Sequence, residues 1–458
     1  MHLYLNKIIT ESKVLYVMAV PIIIGQLGIM LMGVADTIQV GHIDTMAKES
    51  IGAAGIANSI FITIAIIGII ALQIAAPMIA NAESIKNIGL IKTLFSSSLK
   101  VALILSLICF ILIEIIASNI NILGQEPIIE ELALPYLHVI GFSVLPMLIF
   151  TALKQLSDGL GKTKIAMNIT LIGLLVNILF NYLLIYGIGF FPKLGLLGAG
   201  ISTLISRIFM ALGLYLYLHN HQFFKPIINH SIIKSAENKH IKNILKLGIP
   251  SGLQGFFEIA VFSAAAVLIG RLGTVQLAAH EVAINPASIT YMMVTGVAAS
   301  GGIRVGANLG NIKAMRLSGS VALMMGFIFM AFCCAIMLIF NASLAKLYII
   351  DPQVLPLAAT LIFIAGFFQL SDGIQAVALG ILRGMADVNI PTIITLIAYW
   401  VIGLPVGYFL SFNQNMGAIG IWIGLSVGLS ASAILLSWRF FHNLKIKKTH
   451  KVLESDIV

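Results

Sequence analysis

Apolar stretches of roughly 20 to 30 residues recur along the whole chain, each long enough to cross a hydrocarbon core of about 30 Å as a tilted helix. No other feature restricts the possible folds as much, because a backbone inside lipid must satisfy its own hydrogen bonds. Twelve such stretches can be read, at approximately 14–40, 51–80, 94–120, 131–156, 165–189, 195–219, 244–272, 280–309, 318–349, 354–383, 391–412 and 417–442. With 59% hydrophobic and only 10% charged residues in 458, the remainder is too small to cover a soluble protein of this length. The expected class is an all-α integral membrane protein with twelve transmembrane helices.

The first run is long, contains Asp36 and is followed by no clear small-residue cleavage site, so no cleaved leader is expected. The cysteines, Cys109, Cys333 and Cys334, lie inside apolar segments, where a thiol acts as a small hydrophobe. A net charge of +9 suggests nucleic acid until it is mapped onto the segments. With the N-terminus in the cytoplasm, 22 of the 27 Lys and Arg fall inside. Lys48, Lys193, Arg271 and Lys346 fall outside, and Arg207 lies within the sixth segment. Basicity therefore encodes orientation, with both termini cytoplasmic, and not a nucleic-acid partner. The basic tail, 443–458 with the residues just before it, is solvated or touches anionic lipid.

The chain also resembles itself at an offset of roughly 222 to 229 residues. "VMAVP", ending at Pro21, pairs with "KLGIP", ending at Pro250; "NITLIG", 168–173, pairs with "IITLIA", 393–398; "LGLLGA", 194–199, pairs with "MGAIGI", 416–421. Six segments make one repeat, so both halves enter the membrane in the same sense, related by an axis along its normal with a cavity between them. The expected organisation is a six-helix bundle at 1–218, a cytoplasmic linker at 219–243, a second bundle at 244–442 and the tail. The linker histidines His219, His221, His230 and His240 lack the Cys or carboxylate partners of a metal site and are read as solvated.

An acid at the centre of a membrane helix costs about 2.5 to 3.5 kcal/mol on insertion scales. Asp36, Glu258 and Asp372 all lie well inside their segments, whereas Glu114 and Glu281 sit nearer the outer ends. At 1.5 Å per residue, Glu258 lies about 20 Å and Asp372 about 15 Å from the cytoplasmic side. Both belong to the second half, so a shared hydrated pocket is expected, and two adjacent carboxylates oppose each other's ionisation unless a cation or proton intervenes. Asp36 has no second acid in its half. Its candidate partners are Asn177 and Asn181, one turn apart, and Thr203, whose amides and hydroxyl can bond a protonated carboxyl or join it around a cation. The competing reading of each acid is a protonated packing residue. Arg207 either pairs with an acid or reaches a helix end or interface.

"GLGKTK", 159–164, lacks the full pattern of a phosphate loop, and no catalytic triad or zinc spacing occurs, so an enzyme is not expected.

The segments "LKLGIPSGLQGFFEIAVFS", "LAAHEVAINPASITYMMVTGVAASGGIRVGANLG", "ALGILRGMADVNIPTIITLIAYWVIGLPVGYFL" and "GAIGIWIGLSVGL" resemble the multidrug and toxic compound extrusion (MATE) transporters, in their NorM-like branch. That resemblance covers nearly the whole chain. It implies a V-shaped pair of pseudo-symmetric six-helix bundles that exports cationic or amphiphilic small molecules in exchange for Na+ or H+, without a cofactor. It further implies a monomer among the lipids of a bacterial cytoplasmic membrane. The family's coupling acids fall on Asp36, Glu258 and Asp372, with Na+ expected at Glu258 and Asp372. Departures are Asn181, where another branch has Asp; Glu281, where glutamine is common; and Phe368, where some members carry tyrosine. Two other functions fit the segments: a flippase for lipid-linked saccharides, disfavoured by acidic rather than basic mid-membrane charge, and a channel or receptor without coupled transport.

Overall fold

The computed structural model describes residues 2–43, 46–123, 126–228 and 235–455. It contains twelve helices long and apolar enough to span a membrane. These are α1 (Leu5–Gly41), α2 (Ala47–Ser84), α3 (Ile88–Ala117), α4 (Pro127–Gly159), α5 (Thr163–Tyr186) and α6 (Leu196–Asn220), then α7 (Asn238–Gly270), α8 (Thr274–Ala307), α9 (Ile312–Tyr348), α10 (Leu355–Gly384), α11 (Asn389–Asn413) and α12 (Ala418–Ile446). Each coincides with one expected segment. Several begin earlier than hydropathy suggests, because polar first turns continue the helix: α1 carries Glu11, whose carboxylate takes two hydrogen bonds from Arg304, at 2.8 and 2.7 Å, and one from Ser318 at 2.7 Å. Only 28 to 56% of each span's most apolar window is buried. The rest, including Leu107, Leu175, Val267, Phe332 and Ile434, is exposed apolar surface that suits lipid rather than water. The chain is a multi-pass membrane protein.

The contacts gather into two compact units, Met1–Ile23 with Leu253–Val458, and Ile24–Gly252. The boundaries expected at 218 and 244 follow the repeat, whereas these units divide inside α1 and α7, two residues after Pro21 and two after Pro250. A proline inside a helix removes one backbone hydrogen bond and crowds the preceding turn, so both divisions fall where the helix is weakened. In Ile24–Gly252 one core is built around Phe61, Val101, Leu137 and Leu148, and a second around Phe95, Phe150 and Leu214. The other unit packs Val294, Met330, Val377 and Phe440 in one cluster and Val261, Leu361, Tyr399 and Trp422 in another.

The internal repeat is visible in the backbone. Residues with positive φ occur in pairs 222 to 227 positions apart: Met46 with Gly273, Lys86 with Gly310, Gly161 with Ala386, Gly189 with Asn415, and Gly195 with Gly417. Caps repeat as well. Asn87 accepts from the Leu90 N–H at 2.9 Å at the start of α3, and Asn311 from the Ala314 N–H at 3.1 Å at the start of α9.

Helix irregularities position side chains used below. α4 is broken at Ser143. Pro146 cannot donate to the Phe142 carbonyl, and Ser143 turns its hydroxyl onto the Ile140 carbonyl. α11 contains two π-helical stretches, Ile397–Gly403 and Phe409–Asn413, whose wider turns change which residues face inward. α8 and α10 approach through glycines: a Cβ added at Gly302 would meet the Gly380 carbonyl, and one added at Gly380 or Gly384 would meet the backbone of Ala298 or Gly302. Gly380→Ala is expected to destabilise the fold by about 1 to 3 kcal/mol, read as a lower melting temperature in detergent, and Gly380→Leu to prevent folded protein from accumulating. Unchanged melting of Gly380→Leu would show that the two helices can separate without loss.

Of the linker, residues 229–234, with His230, lie outside the described residues. Among the described residues, no group of three His, Cys, Asp or Glu side chains gathers as a metal site. The last helix continues to Ser455.

Candidate functional site

In the Ile24–Gly252 unit, α1, α5 and α6 bring together the four polar residues expected to meet. Asn181 donates to Asp36 Oδ1 at 2.6 Å, and Thr203 donates to Asp36 Oδ2 at 3.0 Å. Asn177 donates to the Thr203 hydroxyl at 3.5 Å. The reason is helical spacing: Asn177 and Asn181 are four residues apart on α5, so both amides leave the same face. Both asparagines are fully buried, and their Oδ1 atoms find no donor among the described residues. Buried carbonyl oxygens are ordinarily satisfied. Here two lie beside a carboxylate, so the set holds more oxygen acceptors than protein donors, and a cation or an O–H or N–H donor would complete it.

Arg207, one turn after Thr203 on α6, is close enough to Asp36 to interact electrostatically but forms no ion pair with it. Its Nη1 donates instead to the Ser143 hydroxyl at the break in α4, and its guanidinium sits over the Phe61 ring, 4.5 Å from the centroid. Tyr136 lies nearby, exchanging hydrogen bonds with Asn58 at 3.2 and 3.4 Å.

In the Leu253–Val458 part of the other unit, Glu258 and Asp372 are both buried and lie within electrostatic reach of each other. Glu258 accepts from Gln254 at 2.8 Å, and Gln254 in turn accepts from Arg383 at 2.7 Å, so the amide relays the guanidinium to the carboxylate. Tyr291 of α8 and Gln375 of α10 also face Glu258. Tyr399, which lies within the first π-helical stretch of α11 on the same face as Pro391 and Thr395, donates to Gln375. Gln369, one turn before Asp372, is fully buried with neither amide atom bonded to a described residue.

The residues that sequence reading missed are Gln254, Tyr291, Gln375, Arg383 and Tyr399. Arg383 had a signal: it lies three turns beyond Asp372 on the same helical face, although its position at the end of the segment reads as cytoplasmic. Phe368 is a core residue, its ring 6.1 Å from Phe262 and 5.7 Å from Trp422 between centroids, and offers no oxygen to the acids. Glu281 is exposed on α8, and Glu114 pairs with His138 at 2.7 Å.

The MatE family model matches residues 21–183 and 250–409. Multidrug resistance protein NorM of Photobacterium profundum is 32% identical over 435 residues, covering 94% of this chain and 95% of that protein. Multidrug resistance protein MdtK of Photorhabdus laumondii is 33% identical over 442 residues, with 94% and 95% covered. A probable multidrug resistance protein NorM of Bacillus licheniformis is 35% identical over 434 residues, with 92% and 93% covered. The fold is similar to the crystal structure of the eukaryotic MATE transporter AtDTX14, with a TM-score of 0.85 at 19% identity over 95% of this chain and 96% of that one.

Proposed function

Because the chain belongs to the MatE family of multidrug and toxic compound extrusion transporters, we propose that it is a secondary active multidrug efflux antiporter, exporting organic cations in exchange for Na+ or H+. The protein works as a monomer in the bacterial cytoplasmic membrane with both termini in the cytoplasm. The observation that carries this reading is the excess of buried oxygen acceptors around Asp36, where Asn177 and Asn181 leave their carbonyl oxygens without donors. Such a set favours a positively charged occupant over an empty, desolvated carboxylate.

The two acidic centres divide the work. Asp36, with Asn177, Asn181 and Thr203, binds the cationic solute or a proton. Glu258 and Asp372 hold the coupling ion, Na+ or H+, whose charge lets both carboxylates stay buried side by side. Binding at either centre changes the relative free energies of the outward-open and inward-open states only through different affinity for the two, and that difference is what an exchanger uses. The relatives named as multidrug resistance proteins support an organic, chemically varied cargo.

The test is ethidium efflux from loaded proteoliposomes under imposed Na+ and H+ gradients, applied separately and without ATP. At least one gradient alone is expected to drive accumulation against the ethidium gradient. Ethidium movement that merely equilibrates, with or without ion current, would replace this reading by a channel.

A further inference from the structure

We propose that Arg207 is an internal stand-in for the cargo: when the cationic solute leaves Asp36, the guanidinium takes its place, and when cargo binds, it withdraws to Ser143 and Phe61. This rests on the reading of Asp36 as the site of the cationic solute.

The arrangement shows Arg207 in the withdrawn position. Thr203 and Arg207 are one turn apart on α6, so they leave the helix on one face, and Thr203 already touches Asp36. Yet the guanidinium is bonded to Ser143 and stacked on Phe61, while Asp36 is held by the neutral Asn181 and Thr203. Of the five N–H groups of a guanidinium, only one meets an acceptor among the described residues. Phe61 supplies a cation–π face, and Ser143 is held by its own hydrogen bond to Ile140. Withdrawal therefore ends on a prepared resting place rather than in an apolar void.

Charge dictates the rest. A carboxylate that loses its cation while partly buried must be paired again, take up a proton or bear the desolvation penalty. Arg207 is the only cation that interacts with Asp36 in the described structure. One carboxylate cannot be paired at short range with both the guanidinium and a cationic solute, so the two occupants exclude each other, and Arg207 promotes release. The second unit differs: Arg383 is fixed to Glu258 through Gln254, an arrangement suited to holding a charge in place.

The test measures binding and transport of tetraphenylphosphonium by purified, reconstituted protein. Arg207→Met and Arg207→Gln, the latter keeping a donor for Ser143, are expected to bind the probe about 10-fold more tightly, within the usual range of coupling between groups. Net efflux should fall about 10-fold, while exchange of labelled for unlabelled probe across the membrane should fall much less, because exchange never requires the cargo-free protein to change its orientation with Asp36 unpaired. Arg207→Lys should restore much of the net efflux. On an Asp36→Asn background, removing Arg207 should leave binding unchanged. Weaker or unaltered binding in both neutral variants would overturn the proposal, as would equal losses of exchange and net efflux, the result of a merely structural arginine. Wild-type protein that binds no probe would instead overturn the assignment of Asp36, a separate failure visible before any variant is made.

Discussion

Glu258→Gln and Asp372→Asn are each expected to reduce gradient-driven efflux about 100-fold or more, the upper end of ordinary coupling, while the protein inserts and purifies like wild type. The substitutions are nearly isosteric. Gln at 258 retains a partner for Gln254, and the neighbours Tyr291 and Gln375 remain. What disappears is one of two negative charges buried within reach of each other. With a single acid the centre no longer distinguishes an ion-bound from an ion-free state by the same free energy, and a gradient has less to act on. Melting in detergent should stay level or rise, because a buried charge has been removed. Efflux and ion-dependent stabilisation measured on the same preparations decide the matter, and full transport by both variants would sink the shared centre.

Asp36→Asn is the second large effect. The amide can keep a contact with Thr203 or Asn181, so the fold should survive. Export of a cationic substrate should fall at least about 10-fold, whereas a neutral substrate should lose far less, since only the Coulombic part of recognition has gone. A protonated packing carboxyl predicts the opposite, an amide that works nearly as well. Parallel efflux of a cationic and a neutral fluorophore, with expression matched, separates the two, and near-wild-type export of the cation would make Asp36 a structural residue.

Much of this was legible because lipid leaves few choices. Apolar runs long enough to span the bilayer reveal the helices, and an acid inside such a run is conspicuous by cost alone. Asn177 and Asn181 were readable as partners of Asp36 because regular helical spacing puts them on one face. The second centre was only half readable. Glu258 and Asp372 announce themselves, but Gln254 and Gln375 are ordinary polar residues until the fold brings Arg383 of α10 to the first and Tyr399 of α11 to the second. Arg383 was hidden by its position at a helix end, where a basic residue reads as a marker of orientation. Tyr399 follows buried Pro391 and Thr395 at ordinary four-residue helical spacing, but on an apolar face it reads as core until Gln375 accepts its hydrogen bond. Ser143 acquires its role only because Pro146 breaks α4 there.

The paired turns at positive φ have a consequence for anyone who wishes to alter this protein. In four of the five pairs one copy has glycine and the other a residue with a side chain: Met46 against Gly273, Lys86 against Gly310, Ala386 against Gly161, and Asn415 against Gly189. A side chain in that conformation costs roughly 1 to 2 kcal/mol that glycine avoids. For Lys86 and Ala386 the other repeat thus supplies a glycine at the equivalent position, whereas Met46, at φ 58° and ψ 30°, and Gly273, at φ 116° and ψ 167°, differ in backbone conformation. The internal repeat is in effect a built-in consensus of two, and grafting the relaxed member of a pair onto its strained counterpart is a rational route to a hardier variant that touches neither acidic centre.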